Sequence, residues 1–318
     1  MRIGTGRGGM VIGSNQRLSF TGFWVLIVIL SYSNGVAESQ VVRGIFVFGD
    51  SLVDVGNNNY LSSIAKSNYY PYGVDFEYGP TGRFSNGKTF VDFIGKIMGL
   101  PYPLAFADPN TNGARLLGGV NYASAAAGIL DETGQHYGQS FYYNPSQYAN
   151  LLLNHYARQL LALYSVGLRN FFLAGIGPLG CIPNQRGSGQ APPGRCVDYV
   201  NQILGPFNEG LRSLVDQLNK RPGAMFVYGN TYGSVGDILN NPATFGFNVV
   251  DRACCGIGRN QGQITCLPFA MPCFNRNQYV FWDAFHPTEA VNAILARRAV
   301  YGSSADCYPI NMLNMTLH

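Results

Sequence analysis

The stretch Val41–Phe48 constrains the fold of this chain most: it is rich in β-branched and aromatic residues and ends in Gly49-Asp50-Ser51. That pattern predicts a buried strand entering a tight turn. Asn170–Ile176 and Ala224–Tyr228 predict two more strands, near-continuous in apolar residues as strands covered on both faces are. Gly119–Ala127 is a further strand candidate. Between these runs the periodicity changes to helical. Phe90, Phe93, Ile94 and Ile97 share one face of a helix over 88–98. Asn144-Pro145-Ser146 starts a second helix, with Pro in the first turn. Its apolar positions are Tyr148, Leu152, Tyr156, Leu160 and Leu163, and Gly167 ends it. Val197–Lys220 predicts a helix interrupted at Gly205-Pro206, and Pro287–Tyr301 a closing helix. Strands alternating with helices predict a parallel sheet covered on both faces, and such sheets bind ligands at the carboxyl ends of their strands. Ser51 stands at one such end.

The first 37 residues read as a secretory leader. Arg2, Arg7 and Arg17 supply a basic start, Phe20–Leu30 an apolar run, and Gly35-Val36-Ala37 small residues before Glu38. The run is short for a bilayer span, and no later segment is longer. This reading leaves residues 38–318 as a single domain of 281 residues, enough to bury a large core. Removing three arginines and no acidic residue from a net charge of +4 leaves about +1. No Lys/Arg block then remains to hold nucleic acid or an anionic membrane.

Seven cysteines lie at 181, 196, 254, 255, 266, 273 and 307. In a secreted chain they read as disulfide cysteines. A Cys181–Cys196 bridge would pin a loop rich in Gly, Pro and Gln. Cys254, Cys255, Cys266 and Cys273 suit two bridges in any of three pairings, which leaves Cys307 as the odd residue. A zinc site built from those four is the rival reading, opposed by the absence of paired Cys-x-x-Cys spacing. Asn314-Met315-Thr316 is a glycosylation sequon.

An alcohol attacks an ester well only when a base takes its proton and hydrogen-bond donors receive the oxyanion. Ser51 sits where a turn can expose its hydroxyl. Asp283 and His286 are three residues apart, so one local turn can set the carboxylate beside the ring and leave the other ring nitrogen for Ser51. Each piece alone is weak, since Gly-Asp-Ser is commonly a turn and Asp-x-x-His commonly a surface pair. His136, His155 and His318 sit in a polar loop, on an amphipathic helix and at the terminus, and read as structural.

Taken together the pieces resemble one family. Phe48-Gly49-Asp50-Ser51-Leu52-Val53-Asp54 followed by Gly56-Asn57-Asn58-Asn59 resembles the first block of plant GDSL-type esterases/lipases, of the SGNH hydrolase superfamily. Gly82-Arg83-Phe84-Ser85-Asn86-Gly87, Gly119-Val120-Asn121-Tyr122-Ala123-Ser124, Gly177-Pro178-Leu179-Gly180-Cys181 and Asp283-Ala284-Phe285-His286-Pro287-Thr288 resemble later blocks, so the likeness runs from about residue 43 to 300. It implies a three-layer α/β/α sandwich of flavodoxin-like type, and a secreted enzyme that hydrolyses carboxylic esters of small-molecule or lipid type with no cofactor or metal. It implies Ser51 as nucleophile, His286 as base and Asp283 as its orienting partner. The oxyanion donors would be the backbone N–H groups of Ser51 and Gly128.

One block is absent. The resemblance implies a Gly-x-Asn-Asp at the end of a central strand, whose Asn is a third oxyanion donor. No Asn-Asp dipeptide occurs in the chain. The sequence passes from Gly134–Phe141 directly to Tyr142-Tyr143-Asn144-Pro145, where the family has a helix and a strand. This reads as an internal deletion of a strand that would lie between the one ending at Ser51 and the one near Leu173. Its neighbours must then re-pair or leave open edges. Asn57, Asn58, Asn59 and Asn144 are the candidate substitute donors. The alternative to an active esterase is a catalytically impaired, non-enzymatic secreted isoform.

Overall fold

The computed structural model describes residues 24–32, 41–131, 143–192 and 194–317. Arg2, Arg7, Arg17, the Gly35-Val36-Ala37 run, His136 with its 134–141 flank, and His318 lie outside the described residues.

The described residues form nine strands: β1 Val25–Tyr32, β2 Val41–Gly49, β3 Leu104–Ala105, β4 Val120–Asn121, β5 Asn170–Ala174, β6 Met225–Gly229, β7 Val249–Ala253, β8 Tyr279–Phe281 and β9 Cys307–Tyr308. Seven make the central sheet in the order β3-β4-β2-β1-β5-β6-β9, while β7 and β8 form a small parallel pair. Within the central sheet β3, β4 and β2 run parallel, as do β5 and β6, and β1 and β9 run antiparallel to their neighbours. The helices are α1 Phe90–Ile97, α2 Pro145–Ser165, α3 Pro183–Gly187, α4 Asp198–Gln202, α5 Gly205–Leu218, α6 Thr231–Asn240, α7 Glu289–Tyr301 and α8 Met312–Met315. The mixed α/β architecture with a largely parallel sheet is the predicted class.

Local chemistry accounts for most element ends. Asn144 caps α2 by accepting from the Gln147 N–H at 2.9 Å, and the Gln147 amide oxygen accepts from the Asn144 N–H in return. Asp92 closes the same kind of box at Thr89 ahead of α1. Pro206 lies in the first turn of α5, where its missing N–H costs nothing, so the predicted long helix is two helices, α4 and α5. The predicted strand over 119–127 shortens to Val120–Asn121. The Asn121 side chain accepts from the Ala123 N–H and donates to the Val53 carbonyl, and Ala126 turns to φ 67°.

The sequence reading did not foresee β1. Val25–Tyr32 falls inside the segment read as a leader, yet it occupies the slot between β2 and β5 where the sequence implies a missing strand. Val25–Tyr32 pairs with 41–49 of β2 and Val25–Ile29 with 170–174 of β5, both antiparallel. The sheet therefore spans the boundary that the leader reading draws at residue 37. The alternation suits an interior strand. Trp24, Leu26 and Val28 pack with Tyr156 and Leu160 of α2 and with Phe207 and Leu211 of α5. Val25, Ile27 and Ile29 pack on the opposite face with Val91 and Ile94 of α1 and with Ala296 and Val300 of α7. All six are buried.

Each buried side chain of this size contributes about 1.5–3 kcal/mol. Losing all six would match the about 5–15 kcal/mol that stabilises a whole domain. A chain beginning at Glu38 is therefore expected to lose its cooperative thermal transition. Scanning calorimetry of both forms checks this; a 38–318 transition within a few degrees of the full chain's would contradict the structural role of β1.

Candidate active site

The turn after β2 holds Ser51. The Asp50 carbonyl accepts from the N–H of Val53 and of Asp54, making a single helical turn. The buried Asp50 carboxylate accepts from Leu52 N–H at 2.9 Å and from Trp24 N–H at 3.0 Å, which ties the turn to the start of β1. Burial pushes the Asp50 carboxyl up to about 7, against those two hydrogen bonds and the field of His286. Gly49 is required by close approach: a Cβ there would stand 2.7 Å from the Trp24 carbonyl oxygen and 2.7 Å from a Val53 methyl.

His286 follows β8, where the Trp282 N–H donates to the His286 carbonyl and folds the segment back on itself. Its Nε2 lies 2.7 Å from Ser51 Oγ, and its Nδ1 lies 2.8 and 2.9 Å from the two Asp283 oxygens. Asp283 is fully buried and accepts from three further donors: the N–H groups of Phe285 and His286, and the Tyr72 hydroxyl at 2.5 Å. Burial alone would raise the Asp283 carboxyl. The field and hydrogen bond of His286, then the Tyr72 and Phe285 bonds, outweigh it and hold the group below the usual carboxylate range. Ser51 and His286 are themselves nearly buried, at 9% and 5% exposure, so their contact is shielded from bulk water.

Several positioning groups were not evident from the sequence. Tyr72, buried and following Pro71, also meets the Thr265 hydroxyl at 3.3 Å. The Arg83 guanidinium grips Asp92 at 2.7 and 2.8 Å in a buried bidentate pair, and the neighbouring Phe84 ring lies 5.1 Å from the His286 ring. Ser85 Oγ donates to the Pro287 carbonyl and Asn86 Oδ1 accepts from the Glu289 N–H. The Gly82–Gly87 motif thus clamps the segment that carries His286. The only sequence signal for this was the resemblance of that motif to a family block.

The candidate substitute oxyanion donors are engaged elsewhere. The Asn57 amide donates to the carbonyls of Asn121 and Ala123, that of Asn58 to Ala65 and Ala125, and that of Asn59 to Thr81. Asn144 caps α2. The 119–128 segment does run beside the Ser51 turn, since Tyr122 N–H donates to Val47 and Ser124 N–H to Gly49. Gly128 lies four residues further on. His155 sits on α2.

Disulfides join Cys181–Cys196, Cys254–Cys273 and Cys255–Cys266, and Cys307 is a buried thiol. The four clustered cysteines are thus bridged in one of the three open pairings, and the rival zinc reading has no thiolates to use. Among the described residues no group of three or more His, Cys, Asp or Glu side chains converges as metal ligands would, and no helix is long and apolar enough to cross a membrane. A mostly apolar cleft of about 670 Å³, counted to its solvent mouth, is lined by Leu52, Phe90, Phe172, Pro287 and Leu295 among others. Leu52 and Pro287 directly follow Ser51 and His286, although neither of those two lines the cleft.

A hydroxyl, an imidazole and a buried carboxylate in series at the carboxyl edge of an α/β sheet have the geometry of a serine hydrolase. The chain belongs to the GDSL-like lipase/acylhydrolase family, whose model matches residues 45–165 and 137–299. Three Arabidopsis thaliana proteins, each named a GDSL esterase/lipase, are 53%, 46% and 46% identical to it. The matches cover 93%, 92% and 92% of this chain and 96%, 92% and 97% of the relatives. The first aligned span, 360 residues, exceeds the chain's own 318, so the relatives carry residues with no counterpart here. The family model also matches in two overlapping pieces that meet at 137–165, next to the expected deletion.

Tyr72→Phe removes one hydrogen bond to a charged group, worth about 1.5 kcal/mol at the low end. If Tyr72 holds Asp283 in register, kcat on an ester should fall about tenfold with KM little changed. Steady-state kinetics of the variant measure this, and an unchanged kcat would remove Tyr72 from the positioning set.

Proposed function

We propose that this chain hydrolyses carboxylic (acyl) esters with Ser51 as nucleophile, His286 as general base and Asp283 as its orienting carboxylate. The observation that carries the reading is the 2.7 Å contact between Ser51 Oγ and His286 Nε2, with Asp283 on the other ring nitrogen. As Oγ attacks the ester carbonyl, its proton passes to Nε2 and the carbonyl oxygen becomes an oxyanion. Asp283 stabilises the imidazolium without taking its proton. Collapse of the tetrahedral intermediate breaks the bond to the alkoxy oxygen, which leaves as an alcohol with the proton from Nε2. Water then attacks the acyl-Ser51, with His286 again as base, and the acid departs. The N–H groups of Ser51 and Gly128 are the proposed oxyanion donors. The apolar cleft beside Leu52 and Pro287 supports a substrate with an apolar acyl or alkyl part.

One observation favours the second reading, an impaired isoform. The Gly-x-Asn-Asp block is absent and the side-chain amides of Asn57, Asn58 and Asn59 are committed to backbone carbonyls. Losing one oxyanion donor typically costs about 10²–10³ in rate. The first reading therefore predicts slow turnover rather than none.

The three disulfides support folding in an oxidising compartment, and the leader-like start supports export. Cleavage after Ala37 would also remove β1, so the cleaved form and the fold described above compete for the same residues.

Turnover of a short-chain chromogenic ester by the chain, by Ser51→Ala and by a form with a Gly-x-Asn-Asp block restored tests the function. Slow turnover that vanishes in Ser51→Ala and rises about 10²-fold on restoration is expected. Turnover that survives Ser51→Ala would refute the assignment, and none without the restored block would favour the impaired isoform.

A further inference from the structure

One row of cross-strand partners crosses the carboxyl edge of the central sheet. Gly49 of β2 pairs with Val25 of β1, Val25 with Ala174 of β5, Ala174 with Gly229 of β6, and Gly229 with Cys307 of β9. Partners in a row point to the same face of a sheet. Here Val25, Ala174 and Cys307 face α1 and α7. The middle of the row is small: Ala174 carries one methyl, and Gly229 is held to glycine because a Cβ there would stand 2.3 Å from the Phe172 ring. Small residues in such a row leave a hollow between the sheet and the helices that cover it.

That hollow is the apolar cleft. Val25, Ala174 and Gly229 line it from the sheet, Phe90 from α1, and Leu295 and Ala299 from α7. Leu52 and Val53, just after Ser51, stand at the Gly49 end of the row. Asn230, Ser234, Arg298 and Asp306 stand at the Cys307 end. The polar groups of that far end are committed to one another. Arg298 is paired with both Asp306 and Asp237, and Ser234 donates to Asp306. Asn230 donates to the Ala305 carbonyl and accepts from the Gly233 N–H. These groups close the cleft with their charges already paired, so it suits an occupant that is neutral and apolar along its length.

Position makes that occupant the acyl group. In the acyl-enzyme the acyl carbon stays bonded to Ser51 Oγ until water releases it, whereas the alcohol leaves past His286 Nε2 after the first step. Leu52 and Val53 belong to the turn that presents Ser51, and Val25 to the strand that Trp24 ties to that turn. Of the lining residues, Pro287 alone adjoins His286. From Gly49 to Gly229 the row makes three strand spacings of about 4.8 Å, or about 14 Å. An extended chain with bonds of about 1.5 Å advances about 1.25 Å per carbon, so about eleven carbons span the row. A longer chain meets the paired Arg298 and Asp306 and has to turn out into water.

We propose that the row of Val25, Ala174 and Gly229 is the bed of an acyl-chain subsite, which selects straight acyl chains up to about eleven carbons and ends at the Arg298 and Asp306 pair. The proposal rests on the ester-hydrolase reading for its chemistry, but binding is read without turnover. Straight-chain fatty acids of graded length, kept below micelle formation, displace the fluorescent fatty acid cis-parinaric acid from the full chain. Affinity should tighten about fourfold per added methylene and level off near about eleven carbons. Ala174→Leu raises the bed, so affinity should level off several carbons earlier and the longest acids bind about tenfold or more weakly. Gly177→Val narrows the cleft from its rim and should act the same way; its Cβ meets only the Thr231 and Val235 methyls, at 3.5 and 4.0 Å, so this second variant keeps the test open if Ala174→Leu misfolds. Near-UV circular dichroism verifies each fold. In turnover, kcat/KM should climb along ethyl esters graded in the acid, and the ratio of long-chain to short-chain turnover should fall in both variants. Displacement that ignores chain length, no binding of the probe, or folded variants that bind as the parent does overturns the proposal. So does a kcat/KM that climbs only along acetates graded in the alcohol, because the cleft would then hold the leaving group. Length-graded binding that both variants weaken, without ester turnover, supports the subsite and counts against the hydrolase reading alone.

Discussion

Strands β2 and β5 run through the middle of the sheet, and backbone N–H and C=O groups buried there must find partners. β1 supplies them on both sides. It runs antiparallel to both neighbours, so its register is set by its own alternation of side chains above and below the sheet. Trp24, at its start, donates to Asp50 and so reaches the turn that presents Ser51. The nucleophile's position and the completeness of the sheet are thus one structural problem.

On the other side of the site the constraint is carried by buried polar groups. Asp283 is wholly enclosed and would be costly as a charge without donors. Its ring partner, two backbone N–H groups and the Tyr72 hydroxyl provide them. Arg83 and Asp92 anchor the motif that packs Phe84 against the imidazole. Breaking a buried pair of this kind leaves an uncompensated charge, which costs about 3–5 kcal/mol. The clamp is therefore rigid where the chemistry needs rigidity.

Much of this was legible beforehand because local rules and family blocks agreed. β2, β5, β6, α1, α2 and α7 follow directly from apolar periodicity and capping residues. The approach of Ser51, Asp283 and His286 follows from two family-like blocks far apart in the chain. β1 was not legible, because an apolar run near the start of a chain satisfies the pattern of a leader and of an interior strand equally well. The slot between β2 and β5 that the strand fills is a tertiary fact, which the local pattern does not contain. Tyr72 was hidden for a related reason, since nothing local marks an aromatic that will meet a carboxylate 211 positions away. Asn57 and Asn58 had the right chemistry for an oxyanion donor, but their amides bind the carbonyls of the neighbouring segments instead.

We propose that Ser51 is reactive in the form described above, in which β1 completes the sheet. Labelling the expressed protein with a fluorophosphonate probe, which reacts with an activated serine, and then measuring the intact mass of the labelled species tests this most directly. The account predicts a labelled species that retains residues 24–32, with the adduct on Ser51. A labelled species that begins at Glu38 would contradict it.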